Sequence, residues 1–128
     1  MSFLDVCQGY HQIPLALYDR EKIAFFTPTR NYHYKVMPFV LKNTGSTYQM
    51  MMIRTFEPQL GKNIEVYIDD MMVKSKVVSE HVGDLGNIFE ILRKPKLHLN
   101  AFKCSFGVGL GKFLGYMVIH HGIEVNPD

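Results

Sequence analysis

Two segments of this chain carry apolar side chains at a spacing of three and four residues, on one side only. The first covers about residues 46–57, with Ser46 as a candidate cap and Pro58 as the stop. The second opens at Ser79 and ends before Pro95. A helix with one apolar stripe buries one face, so each needs another element to pack against. The stripes are Tyr48, Met51, Met52, Thr55 and Phe56 in the first helix and Val82, Leu85, Phe89 and Leu92 in the second.

Short apolar runs before, between and after these helices predict strands. Residues 2–6 and 23–27 are two such runs, which indicate buried strands. Residues 31–37 alternate between two faces, as a strand with one buried face does. Further strands or hairpins are predicted at 97–99, 104–108, 113–119 and 123–125. Strands around two one-sided helices predict an α+β fold, an antiparallel sheet with two helices packed on one face.

The composition is that of one ordinary globular domain. Of 128 residues, 47% are hydrophobic and 20% are charged, which excludes a disordered chain and a highly charged tail. The formal net charge of +2 allows a nucleic-acid partner without indicating one. Two cysteines do not make a disulfide scaffold, so an intracellular setting is expected, and the histidines lack the paired spacing of a zinc site. No apolar run approaches the roughly 18 residues of a membrane span, so we expect no membrane association.

Two apolar runs, at residues 64–68 and 71–73, are separated only by Asp69 and Asp70. This spacing predicts a hairpin whose two turn residues are both carboxylates. Asp5 lies at the end of the first predicted strand, and neighbouring strands of one sheet can bring it to the same place. Such carboxylates suit a phosphoryl-transfer site, which needs oxygen ligands for two Mg²⁺ ions roughly 4 Å apart. From spacing alone, an ordinary acidic turn remains an equally open interpretation.

Six segments, taken together and in order, resemble a known family over nearly the whole chain. They are FLDVCQGYHQI, EKIAFFTP, YKVMPFVLKNTGSTYQ, EVYIDDMMVKSK, LHLNAFKCSFG and KFLGYMVIHHGIEVNP. They are similar to the palm of reverse transcriptase from plant gypsy-type long-terminal-repeat retrotransposons. The resemblance implies a ferredoxin-like polymerase palm and an RNA-directed DNA polymerase activity, with DNA made on an RNA or DNA template.

The resemblance also implies what this polymerase binds. Asp5, Asp69 and Asp70 are the implied catalytic and metal-binding residues, the last two as the pair of the YxDD motif. The implied cofactors are two Mg²⁺ ions, with Mn²⁺ as a substitute. The implied partners are an RNA or DNA template-primer and deoxynucleoside triphosphates.

Residues around the carboxylates receive implied roles in the same way. Tyr10 matches the aromatic residue that lies under the incoming sugar and excludes a 2′-hydroxyl, and Lys103 lies near the motif that neutralises the leaving pyrophosphate. The implied nucleotide-binding residues are Val6, Tyr10, Phe39, Val40 and Gln49. The implied primer-binding residues are Tyr67, Ile68, Phe113, Leu114 and Gly115.

The chain departs from the family's pattern at two positions beside the nucleotide and template. Val40 stands where the family usually has glycine, and Met50 stands where many members have arginine. A β-branched residue does not readily adopt a positive φ or leave room for close backbone approach. The sequence therefore predicts weakened nucleotide binding at Val40.

The extent of the match predicts residues 1–128 to be a palm fragment of a Pol polyprotein, without the fingers, thumb and RNase H domains. We expect weak or no polymerase activity from the isolated chain. An alternative is a domesticated or degenerate palm fragment that serves as a non-catalytic binding module. By resemblance, the parent enzyme works inside cytoplasmic particles.

Overall fold

Short strands and three α-helices make up the computed structural model, which describes residues 1–119 and 122–124. The strands are β1 (Ser2–Asp5), β2 (Phe25–Phe26), β3 (Asn31–Tyr32), β4 (Ile64–Tyr67), β5 (Asp70–Val73), β6 (Leu110–Phe113), β7 (Tyr116–Ile119) and β8 (Gly122–Glu124). The α-helices are α1 (Leu17–Arg20), α2 (Thr44–Phe56) and α3 (His81–Arg93), with 3₁₀ turns at Gly9–Gln12, Glu21–Ile23 and Val78–Glu80. Within the described ranges, no helix has the length and apolar character needed to cross a membrane.

The central sheet joins β1, β5 and β4 in that order, and both pairings are antiparallel. Leu4 lies opposite Met71, and Ile64 lies opposite Val73, so these side chains share one face of the pleated sheet. Helices α2 and α3 contribute their buried residues to the core on this face. The core residues are Leu4, Val6, Met37, Tyr48, Met52, Phe56, Ile64, Met71, Val73, Ile88 and Leu92. The predicted α+β fold, with two helices on one face of an antiparallel sheet, is confirmed.

The opposite face of the central sheet carries Phe3 and Met72, which pair across β1 and β5. A second antiparallel sheet, β6-β7-β8, contacts the central sheet through β6. Gly111 in β6 permits this approach, because a Cβ at that position would overlap the Phe3 ring. The central sheet therefore lies between the two long helices and the carboxyl-terminal strands.

The β2–β3 hairpin is shorter and more exposed than the sequence predicts. The predictions of a buried strand over 23–27 and a longer strand over 31–37 are wrong, since only two residue pairs form. Phe26 is 80% exposed. The aromatic rings pack on one another instead of entering the core, with Phe25 and Tyr32 stacked at 5.9 Å between centroids.

Both long helices differ in detail from their predicted form. Ser46 does not cap α2, because its hydroxyl donates to the Asn43 carbonyl and lies within the first turn. Val82 is 81% exposed, although the stripe in α3 predicts it to face inward. The buried arc of α3 is centred on Ile88 and Leu92, and the first turn of the helix lies outside the core.

The segment at residues 97–108 forms no regular strand, where the sequence predicts two. Isolated bridges instead pair Val6 with Leu99 and Phe3 with Ser105, along the outer edge of β1. This irregular segment therefore covers the edge of β1 that β5 leaves free.

The predicted strand over 113–119 is broken by a tight turn between β6 and β7. The predicted strand over 123–125 corresponds to β8, which begins one residue earlier, at Gly122. Residue 125 lies outside the described residues.

Candidate active site

Three carboxylates meet at one end of the central sheet. The β1–β5 register places Asp5 directly opposite Asp70, and the β4–β5 register places Tyr67 opposite the same residue. Asp69 lies in the two-residue turn between β4 and β5. Like charges opposite each other in a sheet are destabilising, so the apolar pairs farther along the strands must hold this register. The structure thus brings together the carboxylates that the sequence singles out.

The turn of this hairpin consists of Ile68 and Asp69, and not of Asp69 and Asp70 as the sequence predicts. Asp70 is the first residue of β5. Ile68 is the first of the two turn residues, and its N–H donates to a side chain of α2. Two-residue hairpin turns require a positive φ at this position, and Ile68 has a φ of 51°, a left-handed conformation that β-branched residues rarely adopt.

Gln49 of α2 holds this strained turn. Its Nε2 donates to the Val66 carbonyl at 3.1 Å, and its Oε1 accepts from the Ile68 N–H at 2.6 Å. Both ends of the amide are thus bonded to the hairpin backbone. The direct role that the structure gives Gln49 is to position the turn, whereas the resemblance implies a nucleotide contact.

Asp69 is less exposed than Asp70. Its Oδ1 is buried and has no hydrogen-bond partner among the described residues. Burial raises the pKa of Asp69 above its ordinary value, and the charges of Asp5 and Asp70 raise it further, while the nearby Tyr48 hydroxyl opposes part of this increase. A hydrogen-bond donor or a cation beside Asp69 would stabilise its charged form.

The two flanking carboxylates differ in how they are held. Burial raises the pKa of Asp70, and the charge of Asp5 adds to the effect. The Asp5 N–H donates to Cys104 Sγ at 3.5 Å, which fixes β1 against the irregular segment. Lys103 precedes that cysteine, and its positive charge lowers the pKa of Asp69. Lys103, to which the resemblance gives a role near the leaving pyrophosphate, therefore lies close enough to act electrostatically on Asp69.

The implied nucleotide-binding residues divide into an aromatic cluster and a buried position. The Tyr10 ring lies edge-on to Phe39 at 4.8 Å and to Tyr48 at 5.0 Å between centroids. Phe39 and Val40 are 60% and 84% exposed. Val40 does not adopt a positive φ, so the backbone strain expected there is absent. The Val6 side chain is buried in the core, which leaves only its backbone for a ligand contact.

The implied primer-binding residues lie at the tips of two hairpins. Leu114 and Gly115 form the β6–β7 turn with φ values of 54° and 79°, the pattern of a tight hairpin turn with two left-handed residues. A cavity of about 400 Å³ separates this turn from Tyr67 of β4. It is lined by Glu65, Val66, Tyr67, Met72, Phe113, Leu114, Tyr116, Val118 and Ile123. Tyr67 and residues 113–114 thus border one apolar space.

The carboxylates suit a divalent cation in their chemistry, although they do not form a complete protein cage. In residues 1–119 and 122–124, no group of three His, Cys, Asp or Glu side chains is arranged to hold a metal ion. The donors at the sheet end are hard carboxylate oxygens, which Mg²⁺ prefers, and the negative charges of Asp5 and Asp70 raise the pKa of Asp69, an effect that a cation would reverse. The residues present therefore fit a cation that takes only some of its ligands from the protein.

Sequence reasoning gave no role to three residues that shape the site. Gly9 is buried, and a Cβ there would overlap the Tyr48 hydroxyl and lie 2.8 Å from Asp69 Oδ1. Tyr48 was predicted only as a core residue. Cys104 holds the backbone of Asp5. The one available signal was the glycine directly before Tyr10.

Solved structures with this architecture are polymerase palms. One is the foamy viral protease-reverse transcriptase in complex with RNA/DNA hybrid, with a TM-score of 0.88 and 21% identity. The match covers 98% of this chain and 17% of the foamy viral chain. The same enzyme in complex with dsDNA matches with a TM-score of 0.86. The fold is therefore that of a reverse transcriptase palm.

The sequence places the chain within a family. It matches the pattern of reverse transcriptase (RNA-dependent DNA polymerase) over residues 1–118. It is 36% identical over 124 residues to the retrovirus-related Pol polyprotein from transposon 297 of Drosophila melanogaster, and 32% identical over 125 residues to that from transposon gypsy. The chain belongs to the reverse transcriptase family, as a domain of the kind found in Pol polyproteins of long-terminal-repeat retrotransposons.

The matched relatives are much longer than this chain. The match with the transposon 297 polyprotein covers 97% of this chain but only 12% of that polyprotein. A polyprotein of transposon Tf2-3 from Schizosaccharomyces pombe is 29% identical over 119 residues, and the match covers 9% of it. The chain thus corresponds to one part of these polyproteins.

Proposed function

We propose that this chain forms the carboxylate-bearing palm of an RNA-directed DNA polymerase. The observation that carries the proposal is the register that sets Asp5 opposite Asp70, with Asp69 in the adjoining turn. Strand pairing alone brings these carboxylates to one sheet end from positions more than 60 residues apart in sequence. Their mutual repulsion has no structural benefit, and it is relieved when positive charge enters the site.

Asp5 and Asp69 would hold two Mg²⁺ ions, for which Mn²⁺ can substitute, and Asp70 would add negative charge beside them. These ions supply activation of the primer 3′-hydroxyl and neutralisation of the triphosphate and leaving oxygen. Mg²⁺ is usually bound through one or two carboxylates together with substrate phosphates, and not by an all-protein cage. The incomplete ligand set of the free chain agrees with this mode of binding.

The surrounding side chains would orient the two reactants. Tyr10, whose ring lies edge-on to Phe39 and Tyr48, would serve as a wall against a 2′-hydroxyl. Exposed Phe39 and Val40 would border the nucleotide, and Lys103 would offset charge on the leaving pyrophosphate. Tyr67, with the hairpin turn at 113–115, would guide the primer end, because both border the same cavity.

The partners would be a template-primer and deoxynucleoside triphosphates. The foamy viral structures were solved in complex with RNA/DNA hybrid and with dsDNA, which supports a nucleic-acid partner for a palm of this shape. Fingers, thumb and RNase H domains would be contributed by other parts of a Pol polyprotein. A non-catalytic binding module is not favoured by the family match. A plant element as the source and a cytoplasmic particle as the compartment remain proposals from the resemblance alone.

Mn²⁺ titration of the 128-residue chain, followed by water-proton relaxation, tests the site without the rest of the polymerase. We expect saturable binding that a double Asp5→Asn, Asp69→Asn variant loses. The matched control is a double Asp19→Asn, Glu90→Gln variant, which removes the same charge from two exposed ion pairs. Equal binding by all three proteins would exclude a metal site at the sheet end.

A further inference from the structure

The Tyr48 hydroxyl is a buried polar group to which the proposed function gives no role. Tyr48 lies in the first half of α2 and is 0% exposed. Its hydroxyl has no hydrogen-bond partner among the described residues. Buried hydroxyls without partners are rare in proteins because desolvation is not compensated. A phenylalanine would fill the same space without this penalty, so the hydroxyl calls for an explanation.

A second unpaired polar atom lies at the same place. Asp69 Oδ1 is also buried without a partner. Both atoms lie above the backbone of Gly9, where a Cβ would overlap the hydroxyl and stand 2.8 Å from the carboxylate oxygen. The absence of a side chain at this glycine therefore creates the space in which the two atoms face each other.

The two atoms are chemically complementary. An ionised carboxylate only accepts hydrogen bonds, and a phenol hydroxyl can donate one. Tyr10 is the other tyrosine nearby, but its hydroxyl lies toward Gly45, at 3.9 Å from the position of a Cβ on that residue. Of the two tyrosines, Tyr48 is therefore the one whose hydroxyl lies beside Asp69 Oδ1.

We propose that the Tyr48 hydroxyl donates a hydrogen bond to Asp69 Oδ1 and so acts as a positioning residue for this carboxylate. The bond fixes the rotation of the carboxyl group and leaves Oδ2 for the cation beside Asp5. This inference rests on the proposed function, because it assigns a purpose to the fixed orientation.

Helix α2 would then control the whole turn through two adjacent residues. Gln49 holds the backbone of the turn by its bonds to Val66 and Ile68. Tyr48 would hold the side chain of Asp69. A strained turn with a fixed carboxylate loses little freedom when it binds a cation, which is the advantage of preorganisation.

A double-mutant cycle without metal tests the hydrogen bond itself. Urea unfolding is measured for the unmodified chain, Tyr48→Phe, Asp69→Ala and the double variant. If the two groups are bonded, the effects of the single changes on the unfolding equilibrium constant are non-additive by about tenfold, or ~1.4 kcal/mol. Additive effects would overturn the proposal.

Mn²⁺ affinity tests the positioning role. We expect Tyr48→Phe to weaken Mn²⁺ binding about tenfold, because the carboxylate then loses a hydrogen bond made to its charged form. Ile88→Val, which lowers stability from the core of α3, should leave the affinity unchanged, as should the exposed Tyr32→Phe. Unchanged affinity in Tyr48→Phe would overturn the positioning role.

The two measurements separate failure of this inference from failure of the proposed function. Additive unfolding effects together with normal Mn²⁺ binding would reject the Tyr48 bond and retain the metal site. A coupled cycle with no Mn²⁺ binding by the unmodified chain would reject the metal site, and with it the positioning role, while the hydrogen bond itself would stand.

Discussion

The two ends of the central sheet differ in whether their polar side chains are paired with one another. At the end near Ser2, the polar groups are linked in one chain of hydrogen bonds. The Gly107 N–H donates to Ser2 Oγ at 3.0 Å, and Ser2 Oγ lies 2.7 Å from His81 Nε2. Ser75 Oγ lies 2.9 Å from His81 Nδ1 and donates to Asp84 Oδ2 at 2.6 Å. This paired end joins β1, the segment after β5, α3 and the loop before β6.

The directions of these bonds place a proton on His81 Nδ1. Since the Ser75 hydroxyl donates its proton to Asp84, it must accept from His81 Nδ1–H. When the imidazole is neutral, His81 Nε2 accepts a hydrogen bond from the Ser2 hydroxyl. Burial lowers the pKa of His81, as does the positive amino group of Met1, while Asp84 opposes the change. Every donor in this chain has an acceptor.

At the other end, the polar groups lack such partners. Asp5 and Asp70 face each other across two strands, and Asp69 adds a third negative charge in the adjoining turn. The pKa values of Asp69 and Asp70 are both raised. A sheet end whose polar groups satisfy one another stabilises the fold, whereas one that leaves them unsatisfied is available to a ligand.

Gly9→Ala should have the largest effect, and only at the carboxylate end. The new methyl group overlaps the Tyr48 hydroxyl and crowds Asp69, so we expect a loss of roughly 1–3 kcal/mol in the free energy of unfolding and a loss of Mn²⁺ binding. Urea unfolding and relaxation titration measure the two effects. Gly83→Ala, in an exposed and open position of α3, should instead stabilise the chain by about 0.5–1 kcal/mol. Normal Mn²⁺ binding by Gly9→Ala would show that the space above Gly9 is not needed.

Ser2→Ala should affect stability at the paired end and leave the carboxylate end intact. It leaves the Gly107 N–H and His81 Nε2 without partners, which costs about 1–3 kcal/mol. We expect a lower urea midpoint with unchanged Mn²⁺ affinity per folded molecule. Ser79→Ala, an exposed change in a 3₁₀ turn, is the matched control and should stay within about 0.5 kcal/mol. A loss of Mn²⁺ affinity in Ser2→Ala would mean that the two ends are coupled.

The smallest expected effect is a pH dependence of opposite sign at the two ends. The folded-state pKa of His81 lies below its ordinary value of 6.5, so its stabilising contribution is present above that pH and is lost as the pH falls. The folded-state pKa values of Asp69 and Asp70 lie above 3.8, so their contribution is present below that pH and is lost as the pH rises through the raised values.

Urea midpoints across the acidic range measure these two contributions. We expect His81→Gln to lose the decrease below about pH 6.5, and Asp70→Asn to reduce the decrease seen as the pH rises from about 4. Added Mn²⁺ should raise the midpoint at neutral pH more in the unmodified chain than in Asp70→Asn. If both variants keep the pH profile of the unmodified chain, other groups control it.

Much of the architecture could be predicted from local pattern. The stripe of Tyr48, Met52 and Phe56 has the period of a helix, and that period persists whatever the helix packs against. The prediction of a buried strand was wrong for the short apolar run at Phe25 and Phe26, whose side chains are exposed. The length and composition of a run do not show whether a helix or another sheet will cover the strand.

The sequence by itself determined the α+β fold, the two long helices, and the three aspartates as the chemically informative residues. Only the tertiary structure showed that Ile68 takes the strained turn position and that a side chain from α2 accepts its N–H. It likewise decided that Tyr48 meets Asp69 above Gly9. Periodicity is a property of neighbouring residues, whereas these contacts depend on the spacing between a helix and a sheet, which no local pattern records.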